Sequence, residues 1–120
     1  MEFDSRAKDL GVYVTETFNA TWDLTVLKYQ NDQESGGNHH IYFTILDATN
    51  KPKANVTCVV DWVGRDDPQP FRTTTDANGQ ANFPMYANLD ITLKNGPYFA
   101  YIESENKSDV ARGMGLPEHH

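Results

Sequence analysis

The chain is poor in cysteine: its 120 residues include only one, Cys58. A single cysteine forms neither an intrachain disulfide nor a cysteine-ligated metal cluster, so a disulfide scaffold is excluded. Basic residues are also scarce, because ten Lys and Arg stand against 17 Asp and Glu, giving a net charge of -7. Without a cluster of phosphate-neutralising side chains, we expect neither a nucleic-acid partner nor an anionic membrane partner.

Long apolar runs are absent too. No segment has the length and apolar character of a transmembrane helix, and residues 1–9 contain no apolar stretch of the signal-peptide kind. This leaves two interpretations, a cytosolic protein or a domain excised from a larger secreted chain without its signal peptide. The abrupt ending at 116–120 favours the second, so we expect an extracellular or cell-surface location. We further expect a flexible arm or linker at 1–9, one domain over 10–117 and a native or tag-derived tail at 118–120.

What the chain does contain is β-strand patterning. Apolar residues alternate with polar ones in short segments separated by polar or proline-containing loops, and no segment sustains a helical period. Seven or eight strands at this spacing predict an antiparallel β-sandwich. The predicted strands lie at 11–17, 21–30, 40–47, 55–63, 71–75, 80–86, 90–94 and 98–104, with polar loops at 31–38 and 64–70 and an irregular tail at 108–117.

The most informative segment is 72–83, in which two strand-like runs flank Asp76-Ala-Asn-Gly79. Asn and Gly accept the positive φ of tight hairpin turns, and the flanking Thr and Phe suit a pleated, half-buried surface. We therefore predict a hairpin with arms at 71–75 and 80–86.

Several motifs occur in an order that resembles bacterial immunoglobulin-like and prealbumin-like repeats. They are an Asp-x-x-x-x-Pro turn at 47–52, Asn-Val-Thr at 55–57, the Thr-Asp-Ala-Asn-Gly-Gln-Ala run at 75–81 and Gly-Pro-Tyr at 96–98. Segments 36–40 and 108–117 are similar to parts of accessory domains in extracellular bacterial and phage-associated proteins, including cell-wall hydrolases. The resemblance covers about two-thirds of the chain, from 38 to 117.

The resemblance implies an immunoglobulin-like (prealbumin-like) β-sandwich of about seven or eight strands. It also implies a module that attaches or positions a larger parent protein at a surface. Such domains carry a further strand after the Gly-Leu-Pro segment, and this chain stops at His120. That strand is either missing or supplied by residues 1–9. A missing strand would leave an edge open to weak dimerisation by strand addition; otherwise we expect a monomer.

The candidates for chemistry favour a non-catalytic protein without a metal or another cofactor. His39 and His40 are adjacent, so on a strand they point to opposite faces and do not chelate one ion. The Asp76 turn lacks the later bidentate glutamate of a calcium loop. Cys58 alternates with apolar residues and is predicted to lie in the core. Glu103 and Glu105 share one strand face, whereas glycosidase carboxyls stand across a cleft.

Aromatic residues are the better indication of a site. Trp22 and Trp62 follow the apolar parity of their strands and are predicted to lie in the core. Tyr42, Phe99 and Tyr101 have the opposite parity, so they are the candidate ligand-binding residues. An exposed row of these rings would suit a cell-surface glycan or a protein partner. The alternative is that these three rings are buried against a neighbouring domain of the parent protein. For the chain as a whole, the alternative functions are a structural spacer, a virion-surface domain or a metal-dependent enzyme of the same fold.

Overall fold

The computed structural model describes residues 2–16, 22–30, 32–36, 40–63, 68–85, 96–103 and 108–114. Within these ranges the chain forms nine strands and two helices of a single turn or little more. In chain order they are β1 (Glu2–Phe3), α1 (Ser5–Asp9), β2 (Tyr13–Thr15), β3 (Val26–Leu27), α2 (Asp32–Ser35), β4 (His40–Thr44), β5 (Thr57–Trp62), β6 (Phe71–Thr74), β7 (Gln80–Pro84), β8 (Tyr98–Ile102) and β9 (Val110–Met114).

The strands form two antiparallel sheets, which confirms the predicted all-β class. The larger sheet has five strands in the order β2-β9-β8-β5-β6, and the smaller pairs β4 with β7. Separately, β1 and β3 form a short parallel pair. The predicted strand at 90–94 and the tail at 118–120 lie outside the described residues.

The core lies between the two antiparallel sheets, because side chains from both contribute to the same apolar clusters. Strand alternation decides which side chains enter it. On β8, for example, Tyr98, Ala100 and Ile102 are buried while the residues between them are only partly buried. The main cluster contains Ile41, Val60, Phe83, Tyr98 and Ala100; the second contains Ile45, Val56, Cys58 and Ile102. Cys58 is fully buried, as its alternation predicts.

The two tryptophans pack at the margin of this core. Trp62 lies beside the main cluster, with its ring centroid 6.0 Å from those of Phe83 and Tyr98. Trp22 packs against the second cluster. Both are partly buried, so they lie at the edge of the core rather than at its centre.

The predicted hairpin is a tight turn whose arms belong to different sheets. The turn itself is present, since the N–H of Gly79 donates to the carbonyl of Asp76 at 3.0 Å. However, β6 pairs with β5 and β7 pairs with β4, so the chain crosses from one layer to the other at this point. The prediction of paired arms is therefore wrong. Turn residues specify the reversal of direction, whereas the strand partner depends on contacts distant in sequence.

The turn that begins at Asp47, between β4 and β5, has the same geometry as this one. Asp47 and Asp76 each accept, through Oδ1, the N–H groups two and four residues later, at 2.8 and 3.1 Å in both turns. The residue three positions on takes a positive φ, 64° at Asn50 and 70° at Gly79. The carbonyl of Gly79 accepts the N–H of Ile45 at 2.7 Å, which joins the second turn to the end of β4.

The tail predicted to be irregular contains β9, an interior strand of the five-stranded sheet. Glycine weakens a strand on propensity alone, so the pattern at 108–117 did not indicate pairing. In the structure, other backbone segments come so close to these glycines that a side chain would not fit. A Cβ at Gly96 would lie 2.0 Å from the carbonyl oxygen of Met114, and one at Gly113 would lie 2.4 Å from that of Gly11.

Within the flexible arm predicted at 1–9, the structure places β1 and α1. Asp4 caps α1 by accepting the N–H of Arg6 at 2.9 Å. The polar loop predicted at 31–38 contains α2. Both helices are too short to show a helical period, and Arg6 of α1 forms an ion pair with Glu34 of α2.

Candidate ligand-binding face

Tyr42 lies on the outer side of the two-stranded sheet. Its neighbours Ile41 and Phe43 face the core, and Tyr42 is 53% exposed. The ring stacks on His40, with centroids 5.5 Å apart and planes 18° from parallel. Nδ1 of His40 is buried and has no hydrogen-bond partner in the part of the chain that the structure describes.

Phe99 and Tyr101 lie together on the outer side of the five-stranded sheet. They alternate on β8 with Tyr98 and Ala100, which belong to the same core cluster as Ile41 of β4. Tyr42 and the pair on β8 therefore face away from the core in opposite directions. The three predicted site residues do not form one row of rings.

Two residues that the sequence reading missed join Phe99 on its face. The register pairs Tyr13 of β2 with Arg112 of β9, and Arg112 with Phe99 of β8. Cross-strand partners point to the same side of a sheet, so these three side chains form a row. Tyr13 is 52% exposed. We call the outer surface formed by Tyr13, Arg112, Phe99 and Tyr101 the Arg112 face.

The guanidinium of Arg112 is held on this face by two neighbours. Its central carbon lies 5.2 Å from the centroid of the Phe99 ring, in cation–π range. Nε donates to the hydroxyl of Thr15 on β2 at 3.1 Å. No described carboxylate forms an ion pair with Arg112.

The other charged groups on the same outer side are already engaged. Nε of Arg72 on β6 donates to Glu103 at 2.9 Å. Val59 lies between its register partners Tyr101 and Arg72 and is fully buried, although it faces away from the core. Tyr13 is thus the exposed member of the Arg112 face, whereas Arg112, Phe99 and Tyr101 are partly buried. Glu103 is occupied by an ion pair, and Glu105 lies outside the described residues.

Among the described residues, Cys58 is the candidate nucleophile, and it is fully buried. Burial raises the pKa of the Cys58 thiol to about 11, so the thiolate that a nucleophile requires is suppressed at neutral pH. Among the described residues no group of three His, Cys, Asp or Glu is placed to hold a metal ion. His39, His119 and His120 lie outside those residues. No described helix combines the length and apolar character of a membrane span.

Comparison with known proteins finds no matching family model, no similar curated protein and no similar solved structure. On the Arg112 face, the rings of Tyr13, Phe99 and Tyr101 lie beside the guanidinium of Arg112.

Proposed function

We propose that the chain is a non-catalytic accessory module of immunoglobulin-like, prealbumin-like fold. In this proposal it belongs to a larger extracellular or cell-surface protein of bacterial or phage-associated type, and it attaches or positions that parent at a surface. Two antiparallel sheets around a common core and the order of the motifs at 47–52, 55–57, 75–81 and 96–98 support this proposal.

The ligand proposed for the module is cell-wall polysaccharide bound on the Arg112 face. The observation that carries this assignment is the row of Tyr13, Arg112 and Phe99 across three neighbouring strands. Strands are about 4.8 Å apart, so Tyr13 and Phe99 are separated by roughly 10 Å, a span suited to more than one sugar ring. Aromatic faces provide apolar contact with sugars, while a guanidinium supplies directed donors.

The test is protein-observed NMR of the isotope-labelled, folded domain titrated with peptidoglycan fragments and a panel of neutral and acidic glycans. We expect saturable binding, with protein resonances of Tyr13, Phe99 and Tyr101 shifting. Tyr13→Ala should weaken binding at least several-fold, because an exposed ring is lost without disturbing the core.

The variant Tyr42→Ala tests which of the two outer surfaces of the molecule binds the glycan. Loss of binding in this variant alone would move the site to the two-stranded sheet and contradict the assignment to the Arg112 face. A well-folded spectrum with no binding across the panel would overturn the glycan proposal and leave a structural spacer between domains of the parent protein.

A further inference from the structure

A β-bulge at Gly113 lets Arg112 and Met114 point to opposite sides of the sheet. Along an unbroken strand, residues 112 and 114 would point to the same side of the sheet. Here the register shifts, because Phe99 pairs with Arg112 while Tyr98 pairs with Met114, and Gly113 is the extra residue. Met114 consequently packs against the main core cluster, and Arg112 points outward beside Phe99.

The bulge is built into the backbone and does not depend on side-chain packing. Gly113 has a φ of 79°, and a Cβ there would lie 2.4 Å from the carbonyl oxygen of Gly11. Only glycine fits both conditions without a shift. Bulges of this kind commonly redirect a side chain at the edge of a functional surface.

Arg112 also differs from the other described arginines that form hydrogen bonds. Arg6 pairs with Asp4 and Glu34, and Arg72 pairs with Glu103. Arg112 instead has a ring and a hydroxyl as neighbours. The nearest acid in its register row, Asp61, pairs with Phe99 and so stands two strands away, roughly 10 Å.

A planar guanidinium whose terminal nitrogens have no hydrogen-bond partner among the described residues matches a carboxylate, which it can bind through two parallel charge-assisted hydrogen bonds. The chain as a whole carries a charge of -7, which disfavours polyanions in general. The single oriented cation is therefore suited to one carboxylate at a defined position. Tyr13, its register partner, is placed to contact the ring of the same or the next sugar.

We propose that the Arg112 face recognises a carboxylate-bearing sugar, with Arg112 as its carboxylate-binding residue and Tyr13 as its stacking residue. This inference rests on the proposed glycan-binding function. Carboxylates of this chemistry occur on the lactyl group of muramic acid and on uronic acids, and the experiment distinguishes the two sources.

The experiment measures affinity by titration calorimetry and by chemical-shift titration with two matched pairs of probes. The first pair is the N-acetylglucosamine–N-acetylmuramic acid disaccharide and chitobiose, which lacks the lactyl carboxylate. The second pair is trigalacturonic acid and its methyl ester. We expect one acidic probe to bind about tenfold or more tightly than its neutral counterpart, and the preference to shrink as salt is raised.

Arg112→Gln should remove this preference, and Arg112→Lys should restore only part of it because the bidentate geometry is lost. Arg72→Gln is the matched control on the same side of the sheet, since Arg72 is already paired with Glu103; it should keep the preference. The amide spectrum of each variant verifies folding.

Equal binding of acidic and neutral probes would overturn the carboxylate inference while leaving the glycan-binding function intact. An acid preference that survives in Arg112→Gln would overturn the role of Arg112. Absence of binding to all four probes and to the wider glycan panel would overturn the proposed function together with the inference.

Discussion

At the scale of single residues, the buried polar side chains act as connectors between backbone segments. Thr75 is 3% exposed; its hydroxyl accepts the N–H of Val56 at 3.0 Å and donates to the carbonyl of Lys53 at 2.7 Å. Ser108 works in the same way, accepting the N–H of Ile102 and donating to the carbonyl of Asp109, both at 2.8 Å. Each hydroxyl uses its donor and one acceptor position inside the protein, so the cost of burying it is offset.

Thr75→Val keeps the shape of this side chain and removes both hydrogen bonds. The N–H of Val56 is then buried without its hydroxyl partner, so we expect the free energy of unfolding to fall by about 1–3 kcal/mol. Urea denaturation checks the value. Thr74→Val is the control, because Thr74 is the exposed neighbour on β6 and should change stability by less than about 0.5 kcal/mol. Equal effects of the two substitutions would contradict the connector role.

Cys58 yields a prediction about alkaline pH. Its pKa is raised by burial from 9.0 to about 11 in the folded protein. Above pH 9 the thiol of the unfolded chain ionises while the folded one stays protonated, so the unfolded state gains relative stability. We expect the free energy of unfolding to fall between pH 9 and 11, and Cys58→Ala to show a shallower fall than the wild type.

The same burial should make the native thiol slow to react with a disulfide reagent at pH 8. Full and fast reaction is expected once urea unfolds the chain. Fast stoichiometric labelling of the native protein would show that Cys58 is accessible and would contradict both expectations.

At the scale of elements, the turn at Asp76–Gly79 fixes how the two sheets are joined. A Cβ at Gly79 would lie 2.5 Å from the carbonyl oxygen of Ile45 and 3.0 Å from the backbone nitrogen of Lys53. Gly36 offers a matched comparison, since its φ of 67° is close to the 70° of Gly79 and no atom of the described residues lies within 4 Å of its Cβ position.

Gly36→Ala should therefore lower the free energy of unfolding by about 1–2 kcal/mol, because alanine is strained in the left-handed conformation. Gly79→Ala should lower the free energy of unfolding by about 1–3 kcal/mol more than Gly36→Ala, because backbone atoms must shift to make room for the methyl group. Chemical denaturation of the two variants in parallel measures the difference. Similar losses would show that the turn is not packed closely against β4.

The elements also show what the sequence could predict. Alternation on β4, β5 and β8 correctly indicated which side chains enter the core, because that pattern is local. β9 was missed because Gly113 is required by the distant carbonyl of Gly11, a contact that propensity does not express. Arg112 was missed for a related reason. The bulge at Gly113 interrupts the alternation along β9, so the sequence pattern alone does not show on which side of the sheet Arg112 lies.

At the scale of the whole molecule, the N-terminal elements are joined to the sandwich by a series of polar contacts. The N–H of Leu24 donates to Asp109 at 2.9 Å, and Trp22 pairs with Ser108 at the start of the last described segment. Closer to the terminus, Arg6 contacts the carboxylates of Asp4 and Glu34 and the carbonyl of Tyr29. Residues near the start of the chain are thus connected to residues near its end.

Arg6, Asp4, Glu34 and Tyr29 form one group of hydrogen-bonded residues, which we call the Arg6 cluster. Hydrogen bonds from Arg6 and from the N–H of Tyr29 lower the pKa of Asp4 from 3.8 to about 2. Asp4 therefore stabilises the folded arrangement above about pH 4, and this contribution is lost as the pH falls through 2. We expect the amide of Tyr29, which donates to Asp4 at 3.1 Å, to lose hydrogen-exchange protection over that range.

Arg6→Gln should remove the same protection at neutral pH, because three segments lose their common cation. Exposed charges of this kind contribute little to global stability, so we expect β5 and β8 to keep their protection. Lys8→Gln is the control, as Lys8 lies on the same helix and its side chain makes no ion pair with any described residue. If Tyr29 exchanges freely in the wild type, residues 2–9 are the mobile arm that the sequence alone predicts. If protection is lost only in Arg6→Gln, the N-terminal segment is a fixed part of the domain, and Arg6 holds it there together with the β1–β3 pair.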